Sequence, residues 1–151
     1  MNILIRVKEN TLLGSVFFII CGAAVSALVS LLLTISDLAG NGENMAGLLD
    51  MKHITAVIII CVATPVFEEL LFRFIIYRQI LRKLVKADPC PASLMTGLIF
   101  GSLHSPVSAM VTGFAAGVIL CCVYEKSGRL LYSICCHAGF NTMSYMMMLL
   151  F

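Results

Sequence analysis

The chain has 151 residues, of which 60% are hydrophobic and only 12% are charged, and its mean hydropathy is +1.02. A water-soluble domain of this size could not carry that composition without a very large exposed apolar surface. The formal net charge of +2 is too small to indicate nucleic-acid binding, and the basic residues lie between apolar stretches. The composition therefore predicts a membrane protein that is surrounded by lipid and has no nucleic-acid partner.

Five apolar runs follow one another along the chain, and about 20 apolar residues are enough to cross a hydrocarbon core of about 30 Å as a helix. The runs are residues 12–35, 54–81, 92–103, 108–124 and 130–151. The third is the shortest, and Pro106 separates it from the fourth because a proline disfavours a helical residue before it. The predicted fold class is an all-α, polytopic membrane helix bundle of about five transmembrane helices, with residues 1–151 forming a single domain.

The first run could also be a cleaved signal peptide, since Arg6 and Lys8 precede it, but it is long for one. If the first run is retained as a helix, the polar stretch that follows it, residues 36–52, is predicted to be a turn-rich external loop. Alternating crossings then place most basic residues on one side of the membrane, and the positive-inside rule makes that side cytoplasmic. We expect a plasma-membrane protein with a cytoplasmic N-terminus and an external C-terminus.

Small residues recur four apart at Gly97 and Gly101 and again at Gly113 and Gly117, a pattern that lets membrane helices approach closely. Gly22, Ser26 and Ser30 extend the pattern to the first helix. Six of the seven cysteines fall inside apolar runs, where a thiol behaves as a small hydrophobe, and the cysteines predict no metal or redox site.

Three ionisable residues stand within six positions of the second run: Glu68, Glu69 and Arg73. Each costs roughly 2.5 to 3.5 kcal/mol near a bilayer centre, so they are expected to act together. Glu69 and Arg73 are four apart and should pair, whereas Glu68 points about 100° away and stays available. Pro65 removes a backbone donor and is expected to leave a carbonyl free nearby. An Arg–Glu pair that only clamps helices is the alternative.

Two histidines, His104 and His137, lie in apolar runs, and Asn141 follows His137 by one helical turn. Two such histidines with an asparagine and an unpaired glutamate are better explained as one converging site than as separate core residues. A carboxylate and an imidazole can activate water, and an amide or imidazole N–H can stabilise an oxyanion. These residues predict a peptide-bond hydrolase. Glu68, His104 and His137 could instead hold a catalytic zinc ion, and the sequence leaves both mechanisms open.

Three motifs carry a family resemblance. Residues 68–73 resemble an EExxxR motif, residues 100–104 an FxxxH motif and residues 137–141 an HxxxN motif. In this order they resemble the CPBP intramembrane proteases, which include CAAX prenyl endopeptidases and bacterial bacteriocin-processing or self-immunity (Abi) proteins. The resemblance spans roughly residues 62–142, the expected catalytic core. Many members of the family have additional N-terminal spans, and this sequence has a single span before the glutamates.

The resemblance implies that Glu68 and His104 activate water and that His137 and Asn141 stabilise the oxyanion. The residues expected to support them are Glu69, Arg73 and Phe100. The expected activity is endoproteolysis of a membrane-associated or secreted peptide. A non-catalytic immunity or scaffold protein is the alternative function, and a small transporter or proton pathway is a third, because buried carboxylates and histidines also relay protons.

Overall fold

The computed structural model describes residues 11–35 and 53–150, and within these ranges the chain forms five helical stretches and no strand. They are α1 (Thr11–Ile35), α2 (residues 53–84), α3 (Pro89–Ser102), α4 (Val107–Ser127) and α5 (Leu130–Leu150). The predicted all-α helix bundle is confirmed, and each helix lies within a few residues of its predicted apolar run. The predicted external loop and the basic N-terminal residues fall outside the described residues.

Helix α2 changes its winding along its length. Two α-helical segments, His53–Val57 and Thr64–Glu69, alternate with two π-helical segments, Ile58–Ala63 and Leu70–Leu84. In π-helical turns each N–H bonds the carbonyl five residues earlier instead of four. The glutamates and Arg73 therefore lie at the junction between an α-helical and a π-helical segment.

Helices α1 and α5 pack with almost no space between their backbones. A Cβ placed on Gly22 would lie 1.8 Å from the carbonyl oxygen of Cys136, and a Cβ on Gly139 would lie 2.0 Å from that of Ile19. Further along, the hydroxyl oxygens of Ser26 and Ser144 are 2.8 Å apart. The small-residue pattern predicted for the first helix is thus a helix contact surface.

Helices α3 and α4 form the second close pair, as the glycine spacing predicts. A Cβ on Gly117 would lie 2.8 Å from the Cα of Gly97, and a Cβ on Gly113 would lie 3.2 Å from the Cα of Gly101. A short turn with a cis Ser105–Pro106 peptide bond connects the two helices. This turn keeps His104 at the end of α3, beside the first half of α4.

The outer surface of the bundle is apolar. Two described segments, Thr11–Leu32 and Val107–Ser127, are long and apolar enough to cross a membrane by length and composition, with hydropathies of 2.5 and 2.0. Large apolar side chains such as Leu28, Phe67 and Leu98 are exposed, whereas the fully buried side chains include Glu69, Arg73 and Thr96. An apolar exterior around a polar interior is the arrangement expected in lipid.

A methyl group at Gly22 tests the contact between α1 and α5. Because the added Cβ would meet a backbone carbonyl that cannot rotate away, we expect Gly22→Ala to destabilise the bundle by about 1–3 kcal/mol. The measurement is the thermal unfolding midpoint in detergent. Ala24→Val, which adds bulk at an exposed position of the same helix, should leave the midpoint near that of the wild type. Equal midpoints for Gly22→Ala and the wild type would contradict the packing described here.

Candidate active site

The carboxylate of Glu69 is the centre of a buried polar cluster. One of its oxygens, Oε1, lies 2.9 Å from Arg73 Nη1 and 2.8 Å from His137 Nδ1. The other oxygen, Oε2, accepts a hydrogen bond from the hydroxyl of Ser133. Glu69 and Arg73 have side chains that are 0% exposed, so the pair predicted from their spacing is present and fully enclosed. Glu69 therefore joins α2 to α5 as well as pairing within its own helix.

His137 lies between the two glutamates. Its Nδ1 faces Glu69 at 2.8 Å and its Nε2 faces Glu68 Oε2 at 3.3 Å. An ionised carboxylate only accepts hydrogen bonds, so Nδ1 carries the proton that it donates to Glu69. Glu68 differs from Glu69 in that its side chain is 28% exposed. His137 is thus held through one nitrogen by the buried Glu69, and its other nitrogen faces the partly exposed Glu68.

Arg73 is held by charge, by a carbonyl and by an aromatic ring. Its Nη1 is within ion-pair distance of Glu69 but outside hydrogen-bond geometry, and its Nη2 donates to the carbonyl of Gly117 at 3.3 Å. The guanidinium carbon lies 4.9 Å from the centre of the Phe100 ring. A cation over an aromatic face in a desolvated site is attracted by the ring quadrupole. Arg73 therefore connects α2 to both α3 and α4.

His104 contacts the cluster through the ring of Phe100. The centre of the Phe100 ring lies 4.8 Å from that of His104 and 5.7 Å from that of His137. The Nδ1 of His104 is 2.8 Å from the carbonyl oxygen of Phe100, one turn earlier in the same helix. Because a carbonyl can only accept, Nδ1 is the protonated nitrogen of His104. Within residues 53–150, no ion pair joins His104 to Glu68.

Asn141 supplies a hydrogen bond that the backbone of α2 lacks. Its side-chain Nδ2 donates to the carbonyl of Ile60 at 3.0 Å. In this π-helical segment Thr64 N–H bonds the carbonyl of Ile59, so the next donor in the same register would be Pro65, which has no N–H. The carbonyl that Pro65 was predicted to free is therefore that of Ile60. One of the two amide hydrogens of Asn141 is used here, and the second is left for another acceptor.

The structure thus brings some of the predicted site residues into direct contact and leaves others at the edge of the group. Glu68, Glu69, Arg73 and His137 are in direct polar contact, whereas His104 and Asn141 bond to backbone carbonyls at the edge of this group. Ser133 belongs to the cluster and was not predicted. It precedes His137 by four residues, so Ser133, His137 and Asn141 share one face of α5, a spacing that could have indicated it.

The predicted zinc ligands do not form a ready metal site. Among the described residues, no group of three or more His, Cys, Asp or Glu side chains is arranged to hold a metal ion. Glu68 and His137 are adjacent, whereas His104 contacts this group through the ring of Phe100. The side chains as placed do not fit a zinc ion bound by Glu68, His104 and His137.

The chain is a helical membrane bundle with a buried glutamate–histidine–arginine cluster. The family model for type II CAAX prenyl endopeptidase Rce1-like proteins matches residues 50–143 of this chain. The chain belongs to this family of CAAX-type intramembrane proteases, and the resemblance predicted from its three motifs is confirmed. No curated protein and no solved structure is significantly similar to the chain.

The bond between Asn141 and Ile60 can be tested by a double-mutant cycle. Asn141→Ala leaves a partly buried carbonyl without a partner, which should destabilise the protein by about 0.5–2 kcal/mol. Pro65→Ala restores a backbone N–H at the position that faces this carbonyl, so in that background Asn141→Ala should cost less. The measurement is the free energy of unfolding of the four proteins in detergent. Strictly additive effects would show that Pro65 is unrelated to the role of Asn141.

Proposed function

We propose that the protein is an intramembrane endopeptidase that hydrolyses a peptide bond in a membrane-associated or secreted peptide, with Glu68 as the group that activates water. The observation that carries the proposal is the contrast between two neighbouring carboxylates. Glu69 is enclosed and bonded by Arg73, His137 and Ser133, whereas Glu68 is 28% exposed and faces the outer nitrogen of His137. Glu68 is the carboxylate that water can reach.

The tautomer of His104 suits a shared role in activating water. With Nδ1 donating to the carbonyl of Phe100, the Nε2 of the neutral ring has a lone pair that can accept a proton. In the proposed reaction, water loses a proton to Glu68 or His104 as its oxygen attacks the scissile carbonyl carbon. The proton then passes to the leaving amine as the carbon–nitrogen bond breaks.

His137 and Asn141 supply the proposed oxyanion site. Asn141 has one amide hydrogen that is not used by Ile60, and Nε2 of His137, which points away from its Glu69 anchor, is a donor when the ring is protonated on both nitrogens. A donor that is fixed before the substrate arrives needs no reorganisation when negative charge develops on the substrate carbonyl. The bonds to Glu69 and Ile60 fix these two side chains.

Replacing Glu68 tests the proposed base directly. Glu68→Gln keeps the size of the side chain but cannot take a proton from water, so turnover should fall by about 10²–10⁴-fold. The measurement uses the wild type and the variant in liposomes with a farnesylated CAAX peptide and a library of membrane-anchored peptides, with products identified by mass spectrometry. His104→Ala should lower turnover in the same assay.

The matched control is Glu125→Gln, which removes a carboxylate at the cytoplasmic end of α4 and should leave turnover within about threefold of the wild type. Equal turnover by Glu68→Gln and the wild type would contradict the role of Glu68. If the wild type itself cleaves no peptide and a bacteriocin-protection assay is unaffected by Glu68→Gln, the protein is instead a non-catalytic immunity protein.

We also propose that the reaction proceeds without a metal ion, since the described side chains do not fit a three-ligand site. Turnover should survive incubation with 1,10-phenanthroline, and elemental analysis of the purified protein should find less than one zinc ion per two chains. The control compares the zinc content of the wild type with that of Glu68→Gln. Stoichiometric zinc that disappears in the variant would establish the metal-dependent mechanism instead.

The proposed orientation places the ends of α2 and α4 in the cytoplasm. The basic side chains of these ends and of the following loops belong to the side that the positive-inside rule assigns to the cytoplasm. We propose the plasma membrane as the location.

A further inference from the structure

The end of the bundle opposite His104 and Asn141 is strongly basic. Helix α2 ends there at Leu84, α4 at Ser127, and α5 begins at Leu130. Among the described residues, its charged side chains are the bases Arg78, Arg82, Lys83, Lys86, Lys126 and Arg129 and the acids Asp88 and Glu125. We call this group the basic end, and none of it takes part in the proposed reaction.

The basic end lies at the level where the two membrane-crossing segments terminate. One candidate span begins at Thr11 and the other ends at Ser127. Arg129, two residues after Ser127, donates from Nη1 to the hydroxyl of Thr11 at 3.0 Å, so these two ends share one level. The ends of membrane-crossing helices lie at the level of the lipid headgroups.

A cavity of about 210 Å³ opens at the basic end, lined by Arg78, Arg82, Tyr124, Glu125 and Gly128. Among the described residues that line it, the one carboxylate is already paired, because Glu125 lies 3.0 Å from Arg82 Nη2 and accepts a hydrogen bond from the hydroxyl of Tyr77 at 3.0 Å. The pairing of Glu125 with Arg82 leaves the charge of Arg78 uncompensated among these residues.

Arg78 is the cation of this cavity that lacks an acidic partner. Within the described part of the chain, its contacts are a hydrogen bond from Nη1 to the hydroxyl of Tyr124 at 2.8 Å and a position 5.8 Å from the centre of that ring. Both contacts orient the guanidinium and neither cancels its charge. The planar fork of an arginine matches two oxygens of a phosphate group.

We propose that this cavity binds the phosphate of an anionic phospholipid headgroup, with Arg78 as the principal ligand and Arg82 beside it. A lipid is favoured over free phosphate because Phe74 and Ile75, about one turn before Arg78, are 40% and 45% exposed and offer an apolar surface to acyl chains. Basic pockets between membrane helices at this depth are suited to anionic headgroups. The proposal is independent of the proposed peptidase activity.

The test uses the full chain purified in a neutral detergent, with lipid binding followed by native mass spectrometry and by the thermal unfolding midpoint. The probes are phosphatidylglycerol, phosphatidylcholine and inorganic phosphate. The wild type should bind phosphatidylglycerol more tightly than phosphatidylcholine, and Arg78→Gln should weaken phosphatidylglycerol binding by about five- to tenfold. Lys83→Gln removes the same charge from an exposed side chain outside the cavity and should change binding by less than about twofold.

Equal losses in Arg78→Gln and Lys83→Gln would overturn the proposal, because diffuse charge would then explain the binding. Equal binding of the two lipids would also overturn it. Displacement of phosphatidylglycerol by millimolar inorganic phosphate would assign the cavity to free phosphate instead. If Arg78→Gln does not fold, Tyr124→Phe removes the hydroxyl that orients Arg78 and should give a smaller loss of the same selectivity, and unchanged selectivity there would contradict the assignment.

Discussion

The site depends on the ion pair and hydrogen bonds of the Glu69 carboxylate. A charge that is taken out of water is stable only when it is paired and its remaining lone pairs are satisfied. Glu69 meets this requirement with three partners from two helices: Arg73 in its own helix, and Ser133 and His137 in α5. Arg73 in turn bonds the carbonyl of Gly117 in α4. Burying one acid therefore fixes the relative positions of three helices.

This arrangement gives two adjacent glutamates different surroundings. The enclosed glutamate positions His137, and the open glutamate faces the nitrogen of His137 that is left over. The ring of Phe100 contacts the guanidinium of Arg73 and both histidines. It therefore packs the cation that balances Glu69 against the two imidazole rings.

Much of the fold follows from local sequence, and much of the site does not. Hydropathy predicts the helices, and the spacing of Glu69 and Arg73 predicts their pair, because both depend on distances along one helix. The contacts of Glu69 with Ser133 and His137 depend on how α2 and α5 are rotated against each other, which no spacing specifies. The bond from Asn141 to Ile60 requires the π-helical register of residues 58–63, and a sequence pattern based on ordinary α-helical turns does not contain that register.

The central claim is that Glu69 holds His137 through Nδ1 and leaves Nε2 facing Glu68. Nitrogen-15 NMR of protein labelled at histidine, in detergent, reports which ring nitrogen carries the proton, and the chain has only 3 histidines to assign by substitution. The account predicts that Nδ1 of His137 carries a proton that is hydrogen-bonded to a carboxylate. It also predicts that the Nδ1 signal changes in Glu69→Gln. A neutral His137 ring with its proton on Nε2 alone would contradict it.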